Sequence, residues 1–165
     1  MSKSKKRHNR THRPKPKRFT PRVMIIAAFL LLSAVAGYVV IKAPKTVDIW
    51  IGECQLKVEI ADTQDLRAKG LSNRKRLKAA HGMLFVFDFS RRQSFWMKDT
   101  SIPLSIAFIS PDGTIRQIEQ MQPFDLSKTT SHSPVPYALE VNQGFFKENG
   151  ITVGTRVDLS NVTGK

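Results

Sequence analysis

The sequence predicts a mainly β domain, a small barrel-like or strongly curved sheet with two short helices, preceded by one transmembrane helix. Three observations carry this. An uncharged apolar run, VMIIAAFLLLSAVAGYVVI, fills Val23–Ile41 between Arg22 and Lys42. After it, short apolar runs repeat with period two, the signature of strands that bury one face. Turn signals such as Pro111-Asp112-Gly113 separate those runs.

The chain has 165 residues and a formal net charge of +14. Residues 1–22 carry ten Lys or Arg and no acid, which leaves +4 for the rest. The basic character therefore belongs to an arm, which with Pro14, Pro16 and Pro21 and no apolar pattern reads as disordered. The apolar run of 19 residues would span roughly 28 Å as a helix, close to a hydrocarbon core of about 30 Å. Cations on its N-terminal side predict a cytoplasmic arm and an extracytoplasmic domain, periplasmic or on the cell surface. Cleavage after Ala36 is the rival, since Ala34-Val35-Ala36 fits a small-x-small site. The run continues to Ile41, longer than a usual signal core, and favours a retained signal anchor. The expected partners are the membrane through Val23–Ile41 and anionic lipid headgroups at the arm; contact with nucleic acid is the weaker reading. The implied organisation is arm 1–22, helix 23–41, linker 42–46, β-rich domain 47–160 and tail 161–165.

Within the domain, TVDIWIGECQLKVEIA reads as a hairpin turning at Ile51–Glu53. Its second strand puts Cys54, Leu56, Val58 and Ile60 inward. With one cysteine no intrachain disulfide can form, so the core must hold the fold. Asp62 or Thr63 caps a short helix, QDLRAK, that Gly70 ends. The cationic NRKRLKAAHG reads as irregular surface. In GMLFVFDF, Met83, Phe85, Phe87 and Phe89 share one face, and Leu84 and Val86 the other. Ser90–Arg92 is expected to turn. QSFWMKDT returns as a strand, with Phe95 and Met97 on one side and Ser94, Trp96, Lys98 and Thr100 on the other, until Pro103 breaks it. LSIAFIS and TIRQIEQM form a hairpin around Pro111-Asp112-Gly113, with Leu104, Ile106 and Phe108 inward. Residues 122–136 read as a long loop. YALEVN sets Tyr137, Leu139 and Val141 against Ala138, Glu140 and Asn142. GFFKENG is the second helix, and ITVGTRVDL closes as strand-turn-strand.

The runs VEIADT (Val58–Thr63), GMLFVF (Gly82–Phe87), FWMKDT (Phe95–Thr100), IPLSIAFI (Ile102–Ile109), YALEVN-x-G (Tyr137–Gly144) and GITVGTRV (Gly150–Val157) follow one another in order. This chain resembles domain-of-unknown-function family 192 over about residues 47–160. The resemblance implies a bacterial or archaeal protein, often anchored or secreted, and no established activity. Two positions depart from the family pattern. Ser72 follows Gly70-Leu71 where the family usually has Met, and Asp99 stands where Asn is commoner.

The four histidines are His8, His12, His81 and His132; no His or Cys pair has metal-ligand spacing, so no metal or cofactor is expected. No Gly-x-Ser-x-Gly occurs, and Ser131-His132-Ser133 reads as a solvated turn. The polar faces of the central strands are more promising. If their strands share a sheet face, Lys98 and Glu140 could meet beside Trp96, with His81 or Thr100 at the edge and Asn142 alongside. A cross-strand ion pair under a capping Trp accounts for them structurally. They also fit a ligand cleft or, through Glu140 and Lys98, acid–base catalysis. The expected function is a membrane-anchored extracytoplasmic module that binds a small ligand or envelope component. The alternatives are a hydrolase-like envelope enzyme and a purely structural or assembly protein.

Overall fold

The computed structural model describes residues 43–163. The arm and the apolar run Val23–Ile41 lie outside them. No helix among the described residues is long and apolar enough to cross a membrane.

Nine strands and three short helices follow in order: β1 Thr46–Ile51, β2 Cys54–Ala61, α1 Gln64–Lys69, β3 His81–Arg91, β4 Ser94–Phe95, β5 Leu104–Ile109, β6 Ile115–Met121, β7 Thr129–Thr130, β8 Val135–Asn142, α2 Phe145–Glu148, β9 Val157–Asp158 and α3 Ser160–Thr163. Seven strands form one sheet, ordered β6-β5-β8-β3-β2-β1-β9, and β4 pairs with β7 in a separate ribbon. Among the described strands only the β2–β3 pair is parallel. Such a pair needs a crossover, and α1 lies between those strands in sequence. Thr63 caps α1 by accepting from the Leu66 N–H, and the Gly70 N–H closes it on the Leu66 carbonyl.

The sheet curls until its edges meet. β6 and β9 are the outermost strands, yet Thr114 bridges Arg156 just before both. The Ile115 N–H donates to Thr155 O at 2.9 Å, and the Val157 N–H to Gly113 O at 2.8 Å. Gly113 has φ +82, and a Cβ there would sit 2.5 Å from the Val157 oxygen. A side chain at that position is excluded both by the backbone conformation and by the closure contact.

Both faces of the sheet are buried. On one face Ile49, Ile51, Val58, Leu84, Leu139 and Ile109 pack with Phe146 of α2. On the other, Met83, Phe85, Ile106, Phe108 and Ala138 pack with Leu66 of α1 and with Met97 and Ile102. All six residues of β5 are buried, so Ser105, Ala107 and Ile109 face core as well as the expected inward set. Phe89, expected to share the face of Met83, is 81% exposed because β3 runs on past its core-covered half to Arg91. The expected turn at Ser90–Arg92 therefore begins later.

QSFWMKDT departs most from expectation. Only Ser94 and Phe95 are strand. Beyond them the Met97 N–H bonds to Asp125 O and the Thr100 N–H to Met97 O, and Asp99 takes φ 54. Asp and Asn tolerate that left-handed conformation better than most residues, which accounts for either residue at this place. Burial still alternates through Lys98, with Phe95 and Met97 inward and Trp96 and Lys98 outward as expected, and is lost at Asp99, so Thr100 is buried. The long loop contains β7, held by the Ser94–Thr130 hydroxyl pair at 2.8 Å. ITVGTRVDL contributes only the short β9 and leads into α3, a third helix that the sequence pattern did not announce.

Candidate functional site

A cleft of about 760 Å³ opens where α1, the outer half of β3 and the segment Arg92–Thr100 converge. Its aromatic floor is fixed by edge contacts. Phe95 meets Phe85 at 4.9 Å and Phe87 at 6.4 Å between ring centroids, and lies 5.9 Å from Phe108. Trp96 stands at the wall, 52% exposed, with the Lys98 ammonium 5.6 Å from its ring centroid. That is cation–π range.

Glu140 reaches the same cleft from β8. It is 5% exposed and lies between Met83 of β3 and Ile106 of β5 in register. Both neighbours are buried and apolar, so its charged form is poorly solvated. Burial pushes the carboxyl up to about 8. The Glu140 side chain makes no hydrogen bond or ion pair within the described residues. No fully sealed side-chain oxygen there lacks a partner. The carboxyl therefore keeps an opening to the cleft, where a ligand or water can meet it. Gly82 permits the close approach of β3 to β8 here, since a Cβ on it would come within 2.6 Å of the Glu140 backbone carbonyl oxygen.

The cleft gathers four of the six residues singled out from sequence: Trp96, Lys98, Thr100 and Glu140. Lys98 and Glu140 do not form the cross-strand ion pair that the pattern offered; the described ion pairs are Lys57–Asp48, Arg74–Glu59 and Arg116–Asp112. β4 pairs with β7 in the separate ribbon and is not a neighbour of β8, so the two residues do not lie opposite each other on paired strands. Thr100 donates to the Lys98 carbonyl at 3.1 Å and fixes the turn. Asn142 and His81 are not on the cleft wall. Asn142 donates to the carbonyls of Leu77 and Lys78 and pins the cationic segment. The His81 Nδ1 lies 2.9 Å from the Ala79 carbonyl.

Four lining cations were not anticipated: Arg67, Lys69, Arg91 and Arg92. Arg67 donates to the carbonyls of Asp62 and Val86 and lies over the Phe87 ring at 5.2 Å. Arg92 donates to the His132 carbonyl at 2.8 Å. The basic last turn of α1 and the Arg91-Arg92 pair were visible in sequence, but topology alone sets them around one opening. Ser131 is structural: its hydroxyl accepts from the Gln93 N–H and donates to Ser133 O.

A second cleft of about 580 Å³ includes Trp50, Asp112, Tyr137 and Arg156. Its polar groups are mostly occupied. Asp112 accepts from Ser110 and Thr114, Arg156 donates to the Asp112 carbonyl, and Asp158 accepts from the Ser160 N–H. No cluster of His, Cys, Asp or Glu among the described residues could hold a metal ion.

The domain is thus a curled, mainly β sheet closed where β6 and β9 meet, with an aromatic cleft on its open flank. The chain belongs to domain-of-unknown-function family 192, described as "Uncharacterized ACR", which matches residues 47–159. Among solved structures it is similar to a chain from Sinorhizobium meliloti 1021 described as a "putative transcription regulator". That match has 35% identity and a TM-score of 0.68, and covers 70% of this chain and 95% of that one. It is also similar to a protein of unknown function from Novosphingobium aromaticivorans DSM 12444. Here identity is 29%, the TM-score 0.67, and coverage 73% and 89%. No curated protein matches the chain.

Proposed function

We propose that the chain is a single-pass membrane protein whose β-rich domain binds a small ligand or envelope component outside the cytoplasm. In this reading Val23–Ile41 is the anchor, and the basic arm stays on the cytoplasmic side against anionic headgroups. One observation carries the binding site: the buried, unpartnered Glu140 carboxyl opens onto a cleft walled by Trp96. A polar group left without a protein partner costs stability. It is tolerated where a ligand or water completes it. The regulator description of the Sinorhizobium protein is not carried over, because the longest described helix has six residues, short for a helix that reads a DNA groove.

A second reading is an envelope enzyme. An acid pushed up to about 8 holds its proton at neutral pH and could protonate a leaving group. Glu140 is the only acid on the cleft wall, so no second carboxylate is at hand to activate water, and binding is the better-supported reading.

Thermal-shift screening of the full chain against envelope metabolites and glycans tests this, beside a Trp96→Ala, Lys98→Ala double variant. The expected result is a hit that stabilises the parent and not the variant. A hit that the double variant still binds would remove the site.

A further inference from the structure

We infer that the cleft takes a small organic oxyanion, a phosphoryl or carboxylate group carried on a flat ring, with the charge at the rim and the ring against Trp96. This rests on the ligand-site reading above and names the class of ligand. Five cations line the opening: Arg67, Lys69, Arg91, Arg92 and Lys98. None of them is in an ion pair among the described residues. The only acid on the wall is Glu140, set apart on β8 between Met83 and Ile106. Lys69 feels the Glu59 carboxylate at a distance, but no carboxylate among the described residues pairs with any of the five, so the opening carries net positive charge.

Two of the cations are also held in place. Arg67 spends one guanidinium nitrogen on the Asp62 and Val86 carbonyls, and Arg92 spends one N–H on the His132 carbonyl. A guanidinium has five N–H donors, so both keep donors to spare while tethered to the protein. Guanidinium forks match phosphoryl and carboxylate oxygens. Arg91 has no side-chain partner among the described residues and is exposed. Trp96 stays half exposed beyond its contact with Lys98 and offers a flat surface for stacking. At the floor the Glu140 carboxyl faces an oxygen-bearing ligand as a hydrogen-bond partner.

The test uses the full chain in neutral detergent with Trp50→Phe, which leaves Trp96 as the only Trp reporter. Phenyl phosphate should change Trp96 fluorescence saturably at low salt. Benzyl alcohol, of similar ring size but neutral, should bind at least about 10-fold more weakly. Arg91→Glu touches no partner and should weaken phenyl phosphate by about 10-fold or more, with the effect shrinking as salt rises. Binding of benzyl alcohol or phenyltrimethylammonium in preference to phenyl phosphate would keep the site and overturn the oxyanion class. No response to any of the three would overturn both. Phosphatidylglycerol mixed into the detergent micelles, against phosphatidylcholine, then identifies the source. Displacement of phenyl phosphate by the former alone marks a lipid headgroup, and its absence marks a free small anion; either result presupposes and supports the class.

Discussion

Replacing Glu140 by Gln should stabilise the domain, and by an amount set by pH. The side chain lies between Met83 and Ile106 with no partner, and burial moves its carboxyl from the ordinary 4.5 to about 8. Between those values the folded chain holds a proton that the unfolded chain has released. Stability therefore falls as pH rises through the window, by about 1.4 kcal/mol per pH unit. Below the ordinary value both states are protonated and the penalty vanishes. Above the folded value it is complete, on the order of 5 kcal/mol. Gln keeps the size and the polarity but cannot ionise. The stability difference between Glu140→Gln and the parent should be small near pH 4.5, grow steadily, and level off above about pH 8. Urea unfolding followed by tryptophan fluorescence at each pH unit from 5 to 9 gives both curves. The Glu59 carboxyl titrates in both chains and cancels. A difference that stays flat over this range would show that the Glu140 carboxyl is not raised in the folded chain, and would refute the reasoning.

Three further outcomes follow from the same packing. Gly82→Ala places a Cβ against the Glu140 carbonyl and should cost about 1–3 kcal/mol by forcing β3 from β8, measured as a lowered unfolding midpoint. Gly113→Ala meets the Val157 oxygen at positive φ; hydrogen exchange of the Val157 N–H should accelerate as the β6–β9 closure loosens. Arg74 holds Glu59 through two hydrogen bonds, which lowers the Glu59 carboxyl and raises the guanidinium. The pair is partly exposed, so Arg74→Ala should cost only about 0.5–1 kcal/mol. Because the Glu59 value is depressed on folding, that contribution is present above the ordinary carboxylate range and disappears as pH falls through the folded value; unfolding curves at pH 7 and 3 measure it.

Period-two patterns placed β2, β3, β5, β6 and β8 because each carries an apolar face long enough to alternate. Glu140 was legible for the same reason: it shares a face with Ala138 and Asn142, opposite Leu139 and Val141. Alternation failed where backbone geometry rather than burial decides direction. Trp96, Lys98 and Thr100 look like one strand face; Trp96 and Lys98 do stay together at the surface, but past the left-handed Asp99 the chain turns Thr100 into the core. Asn142 and His81 have the right residue types, but they secure the cationic segment and the start of β3. Arg67, Lys69, Arg91 and Arg92 carry no local mark in the sequence that distinguishes a rim from a surface. Only the α1 crossover and the length of β3 bring them to one opening. β9 and α3 carry too few residues for any period to show.

The direct measurement is a map of amide chemical-shift changes when phenyl phosphate is added to the full chain. The account predicts changes concentrated at Arg67–Leu71, Arg91–Lys98 and Glu140. Changes centred on Trp50, Asp112 and Arg156, or none at all, would contradict it.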